Sequence, residues 1–167
     1  SETPVEEDNY VAGLQFIEAN GGDVATASLV YFDWYTYAQL DGRTAPCTIA
    51  VNLATDNGVY CCNAVGNSGH DADPAVGHIA GVPADAFRVL SIGAVDSAGN
   101  IADFSSDGPT ADGRLKPDVV APGTWVLSVR AAQAPDDSYW APFNQDYAYM
   151  GGTSMATPLS AGGAAIV

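Results

Sequence analysis

Residues Thr44 to Val65 read TAPCTIAVNLATDNGVYCCNAV, and this stretch decides the fold. Thr44 to Asp56 reads as a helix, Asn57-Gly58 closes it, and Val59 to Val65 is an apolar strand. Toward the N-terminus the same alternation appears once more. From Glu6 to Ala19 the residues Tyr10, Val11, Leu14, Phe16 and Ile17 recur at near-helical spacing, and Asn20-Gly21-Gly22 is a stop signal. Asp23 to Tyr31 then reads as a buried strand ending at Phe32-Asp33-Trp34. Helix, strand, helix and strand joined by short connections are parallel crossover units, so an α/β sheet with helices on its faces is predicted.

Toward the C-terminus, a loop rich in Gly, Asn, Ser and Asp runs from Gly66 to Gly81. An apolar strand follows at Val89 to Val95, with turn signals at Ser97 to Asn100. Beyond the Pro-rich Lys116 to Gly123 lies an apolar segment, Trp125 to Val129. Ala131 to Tyr149, with Pro135 and Pro142, suits an irregular excursion or a hairpin. The chain closes on Thr153 to Val167, small and apolar.

The 167 residues are 47% apolar and carry 20 acidic against 5 basic side chains, a formal charge of −15. This length and composition predict one compact unit or one large piece of a bigger one. Disorder is excluded, and so are nucleic acids, because anionic partners are repelled. No apolar run approaches the roughly 18 to 20 residues of a membrane span, and Ser1 to Asp8 is acidic where a signal peptide is basic. Lys116 is the single lysine; so acidic a chain suits secretion into salty or calcium-bearing water. Cys47, Cys61 and Cys62 lack metal spacing and read as buried thiols. Export would allow a disulfide from Cys47 to Cys61 or Cys62.

The chemistry concentrates at Gly151-Gly152-Thr153-Ser154-Met155-Ala156-Thr157-Pro158. A serine after two glycines places its hydroxyl and backbone N–H at a helix N-terminus, where developing negative charge is stabilised. An ordinary cap after an ordinary turn reads the same way.

The run Gly152 to Pro158 resembles the G-T-S-M-A-[ST]-P nucleophile signature of subtilisin-like serine peptidases, the subtilases. Ala64-Val65-Gly66-Asn67-Ser68-Gly69 resembles the family's A-x-G-N-x-G. Phe104-Ser105-Ser106 to Gly123 resembles its F-S-S-x-G-P and K-P-D-[VI]-x-A-P-G. The three occur in the family's order and cover nearly all of Asp23 to Val167. The resemblance implies a three-layer α/β/α subtilisin-like fold with a mainly parallel sheet, of which residues 1–167 supply the C-terminal part.

By that resemblance Ser154 is the nucleophile that forms an acyl-enzyme, and Asn67 donates its side-chain amide to the oxyanion. Thr153 adds a supporting hydroxyl. Ser28-Leu29-Val30 resembles the strand end that pairs with an extended peptide or protein substrate. Ala64, Val65 and Gly66 form the opposite wall of the specificity pocket, and Gly81-Val82-Pro83-Ala84 its floor, with Pro83 a candidate cis-proline. Val30 departs from the family's glycine, which bears on the pocket's size or on the strand-end geometry. Pro109, Asp118 and Pro122 read as structural.

The family's D-[TS]-G aspartate and H-G-T-H-V-A-G histidine have no counterpart here. Gly77-His78-Ile79-Ala80-Gly81 imitates the histidine motif, but it follows the asparagine and lacks the leading His-Gly. His70 reads as a solvated loop residue. Both ends look cut, so the expectation is that the Asp- and His-bearing N-terminal half of the same protease is this chain's partner. No cofactor is required for the chemistry and no metal ligand is assigned; Asp71 or Asp73 suits a structural calcium ion. A catalytically inactive subtilase-derived peptide-binding or scaffold module is the alternative reading.

Overall fold

A computed structural model describes residues 3–70, 80–131, 140–141 and 144–167. His78, Asp71, Asp73 and Pro135 lie outside the described residues. Helix α1 spans Val5–Ala19, with Glu6, Glu7 and Asp8 in its first turn, and α2 spans Pro46–Asp56 with proline at its start. Acidic side chains complement the positive helix end, and proline at the first position gives up an N–H that no helical carbonyl would accept. Strands β1 (Val24–Ala27), β2 (Tyr60–Ala64), β3 (Leu90–Val95) and β4 (Val119–Pro122) form a parallel sheet in that spatial order. Helix α3, Thr153–Ala164, packs against all four strands.

Adjacent cysteines show the layering. Side chains alternate across a strand, so Cys61 joins Leu14, Val51 and Ala54 under α1 and α2, while Cys62 joins Ile92, Ala156 and Ala161 under α3. The sheet therefore lies between two helical layers, and the three-layer α/β/α expectation holds. All three cysteines are free and buried.

Several boundaries differ from the sequence reading. The strand expected over Asp23 to Tyr31 ends at Ala27, because the chain then leaves the sheet. The Leu29 carbonyl accepts from Asn63 Nδ2 at 2.9 Å, and Tyr31 exchanges backbone hydrogen bonds with Val82 at 2.9 and 3.1 Å. Phe16 is 70% exposed; the buried stripe of α1 runs through Tyr10, Leu14 and Ile17, and Phe16 falls outside its arc. The Pro-rich run yields edge strand β4, whose Pro122 sits at the end, where no ladder N–H is required. Within the described part of Ala131 to Tyr149, β6 (Trp140–Ala141) pairs antiparallel with β7 (Asn144–Met150), and β7 with β5 (Val126–Val129), as the hairpin reading expects; 132–139 and 142–143 lie outside the described residues. No helix among the described residues is long and apolar enough to cross a membrane.

The segment from Val82 to Asp85 is tied to the elements before α2 and to α2 itself. The Val82–Pro83 peptide is cis. Asp85 is fully buried and accepts hydrogen bonds from the Gly42 N–H at 2.8 Å and the Thr48 hydroxyl at 2.5 Å. Burial pushes its pKa from 3.8 up to about 6, against the pull of these two donors and of Arg114. Lys116, the single lysine, is also buried and donates to Asp118 at 2.8 Å.

The folded state thus holds a proton on Asp85 that the unfolded chain releases near pH 4. Its contribution to stability is full below that pH and is lost as the pH rises toward 6, by about 3 kcal/mol. Urea unfolding of the intact protein at pH 4, 5, 6 and 7 should show this decline, and Asp85→Asn should flatten it.

Candidate active site

The loop after β2 and the start of α3 meet through one side chain. Asn67 Oδ1 accepts from the Thr153 N–H at 2.8 Å and stands 2.9 Å from the Thr153 hydroxyl, which also reaches the Gly66 carbonyl at 3.2 Å. A backbone N–H can only donate, so this contact fixes which end of the Asn67 amide is oxygen. The amide nitrogen, Nδ2, is left as the free donor. Gly152 caps the helix at φ 149°, and a Cβ there would lie 3.5 Å from Asn67 Nδ2. The backbone angle is what calls for glycine here, since 3.5 Å is an ordinary contact that a side chain could make.

Ser154 is the second residue of α3, where an N–H has no helical acceptor. Its hydroxyl donates weakly to the Ser28 carbonyl at 3.4 Å. In return the Ser28 hydroxyl donates to the Ser154 carbonyl at 2.9 Å. The physical reason lies one turn on: Pro158 sits inside the helix and has no N–H for the carbonyl of Ser154. Ser28 supplies the missing donor and ties the end of β1 to the serine.

These groups surround a cavity of about 300 Å³ lined by Ser28, Val30, Phe32, Asp33, Gly66, Asn67, Ser68, Thr153 and Ser154. Six of the ten residues expected at the site line it. Leu29 is 44% exposed and does not, and Ala64, Val65 and Gly81 are buried and do not line it either. A Cβ at Gly81 would collide with the Val30 side chain and lie 2.6 Å from Phe32 Cδ1. Val30 therefore packs directly against Gly81. His70 lines a separate cavity with Ser105, Ser106 and Asp107. Among the described residues no imidazole hydrogen-bonds to Ser154, and no cluster of His, Cys, Asp or Glu has metal-binding geometry.

Phe32, Asp33 and Ser68 carry no site assignment in the sequence reading, and neither does Glu7. Glu7 is 3% exposed although its helix faces solvent. Its carboxylate accepts from Trp34 Nε1 at 2.7 Å, the Tyr35 hydroxyl at 2.6 Å and Cys47 Sγ at 2.9 Å. Burial and this carboxylate push both the Cys47 thiol and the Tyr35 phenol far up, so both remain protonated donors. Tyr35 also returns its N–H to the Phe32 carbonyl at 3.0 Å. Glu7 thus fixes, from behind, the turn that carries Phe32 and Asp33.

The family model described as the subtilase family matches residues 1–167. Serine protease AprX of Bacillus subtilis is 36% identical over 131 residues, which cover 73% of this chain and 28% of that protein. Alkaline elastase YaB of Bacillus sp. is 37% identical over 155 residues, 93% of this chain and 32% of that protein. Among solved structures, the self-cleaved protease domain of PatA superposes with a TM-score of 0.70 at 25% identity, covering 96% of this chain and 50% of that one. The chain spans no more than half the length of any of these three.

Replacing Glu7 by alanine leaves an indole N–H, a phenol and a thiol without their acceptor. A loss of about 3 kcal/mol in unfolding free energy is expected, with a red shift of tryptophan emission as Trp34 loses its fixed position. Unchanged stability and emission would remove Glu7 from this role.

Proposed function

The chain belongs to the subtilase family over residues 1–167, and we propose that it supplies the nucleophile and oxyanion hole of a serine endopeptidase. The observation that carries this reading is the clamped Asn67 amide, whose carbonyl end is held by Thr153 and whose donor end is left at the cavity containing Ser154. Ser154 Oγ attacks the carbonyl carbon of a scissile peptide bond lying along Ser28 to Val30. The hydroxyl proton passes to a general base, and the carbonyl oxygen takes up negative charge between the Ser154 N–H and Asn67 Nδ2. The protonated base gives its proton to the departing amine as the intermediate collapses to an acyl-enzyme, and water, deprotonated by the same base, then hydrolyses the ester and releases the acid and the serine hydroxyl.

Such donors stabilise the transition state because they are oriented before charge develops. The helix N-terminus at Thr153 adds its positive end. The base and its orienting aspartate come from the Asp- and His-bearing half of the same protease, outside this chain. The protease acts outside the cytoplasm, in keeping with secretion; the acidic composition and the bacterial subtilisins among its relatives support this.

Native mass spectrometry of the purified protease should find this segment in one assembly with a D-[TS]-G and H-G-T-H polypeptide, continuous or nicked. In that assembly Ser154→Ala should abolish hydrolysis of an extended peptide. Asn67→Ala should lower kcat by about 10²- to 10³-fold with little change in KM, a magnitude already established for this kind of donor in a subtilisin. Full hydrolysis without Ser154 would overturn the assignment, and an assembly that binds peptide without cleaving it would make the module a scaffold.

A further inference from the structure

Among the described residues that line the cavity beside Ser154, one carries a formal charge. Asp33 lines it, and none of the other lining residues is ionisable under ordinary conditions. Asp33 is exposed and makes no hydrogen bond or ion pair among the described residues. Four of the five Lys and Arg side chains are engaged elsewhere. Arg43 and Arg114 lie over the Phe87 ring at 5.0 and 4.3 Å, Arg88 pairs with Asp56 and Lys116 with Asp118. On a chain of net charge −15, an unpaired carboxylate in a partly enclosed cavity focuses negative potential at its mouth.

The shape of the cavity restricts what can use that charge. Val30 and Phe32 close over Gly81, so the cavity does not deepen beneath them. A purely apolar side chain would gain nothing from the Asp33 carboxylate in the lining. A long side chain with an apolar stem and a charged tip fits otherwise: its methylenes lie along Val30 and Phe32 while its head stays wet beside a carboxylate. Phe32 also brings an aromatic ring to the lining of the same cavity. The turn that presents Asp33 is fixed by Tyr35 N–H to Phe32 carbonyl and by Glu7 to Trp34 and Tyr35. Little ordering then opposes binding.

We propose that this cavity selects substrates with arginine or lysine on the acyl side of the scissile bond, and that Asp33 is the specificity-determining residue. The inference rests on the reading of Ser154 as nucleophile. It assigns a substrate class to that site from side chains that take no part in bond breaking.

The test uses the full-length protease and peptidyl diphenyl phosphonates that differ only in the residue next to phosphorus: arginine, phenylalanine, alanine or glutamate. Covalent attachment to Ser154 is followed by intact mass. A small alkyl fluorophosphonate, which lacks any peptide, reports the nucleophile independently. The arginine compound should react about 10- to 100-fold faster than the phenylalanine and alanine compounds. Asp33→Asn should collapse the arginine-to-alanine ratio toward one, and Asp33→Lys should favour glutamate. Fluorophosphonate labelling with equal or faster reaction of the phenylalanine or alanine compound would overturn the specificity assignment alone. So would an arginine-to-alanine ratio unchanged in Asp33→Asn. No fluorophosphonate labelling would overturn the nucleophile reading and the inference with it.

Discussion

The Asn67 side-chain oxygen is the joint on which the site depends. It accepts from the first N–H of α3 and from the Thr153 hydroxyl, so the loop leaving β2 and the helix carrying the serine cannot move independently. An amide suits this joint because its two ends differ: one carbonyl satisfies the helix start, and the opposite N–H group remains directed at solvent or substrate. A carboxylate would present a second acceptor to a developing oxyanion and repel it. An apolar residue would leave the Thr153 N–H without a partner. The glycines on either side follow from the same geometry. Gly66 at φ 122° and Gly152 at φ 149° adopt backbone angles that side chains rarely reach, and a Cβ on Gly66 would lie 2.9 Å from Ser106 Oγ.

The sheet explains why these pieces meet. In a parallel sheet all strands end on one side, and ligands bind in the crevice beyond those carboxyl ends. Ser28 follows β1, Gly66 and Asn67 follow β2, and α3 crosses beneath the sheet with its first turn at the same end. The Ser28–Ser154 exchange then adds a cross-link made necessary by Pro158. A proline that breaks a helix bond and a serine 126 positions earlier that replaces it form one device.

The helices and parallel strands were legible because their apolar periodicity reflects burial on the faces of a sheet. The serine and asparagine were legible for another reason: they stand in runs that resemble subtilase motifs, in the family's order. What the sequence hid is what depends on packing between distant segments. Glu7 reads as one of three acidic residues complementing a helix dipole, and only the arrival of Trp34, Tyr35 and Cys47 turns it inward. Phe32 and Asp33 read as the end of a strand, since nothing local says that a turn held by Glu7 aims them at the cavity. The short β1 was overextended because the apolar run continues past Ala27, while its hydrogen bonds pass to Asn63 and Val82.

The central claim is geometric: Asn67 Nδ2 and the Ser154 N–H converge on the oxygen of a tetrahedral centre bonded to Ser154 Oγ. The crystal structure of the full-length protease with a phosphonate bound covalently at Ser154 tests it most directly. The account requires a phosphoryl oxygen within about 2.7 to 3.1 Å of both donors, with Thr153 still on the Asn67 carbonyl. An adduct oxygen turned to solvent, or an Asn67 amide rotated so that its carbonyl faces the adduct, would contradict it.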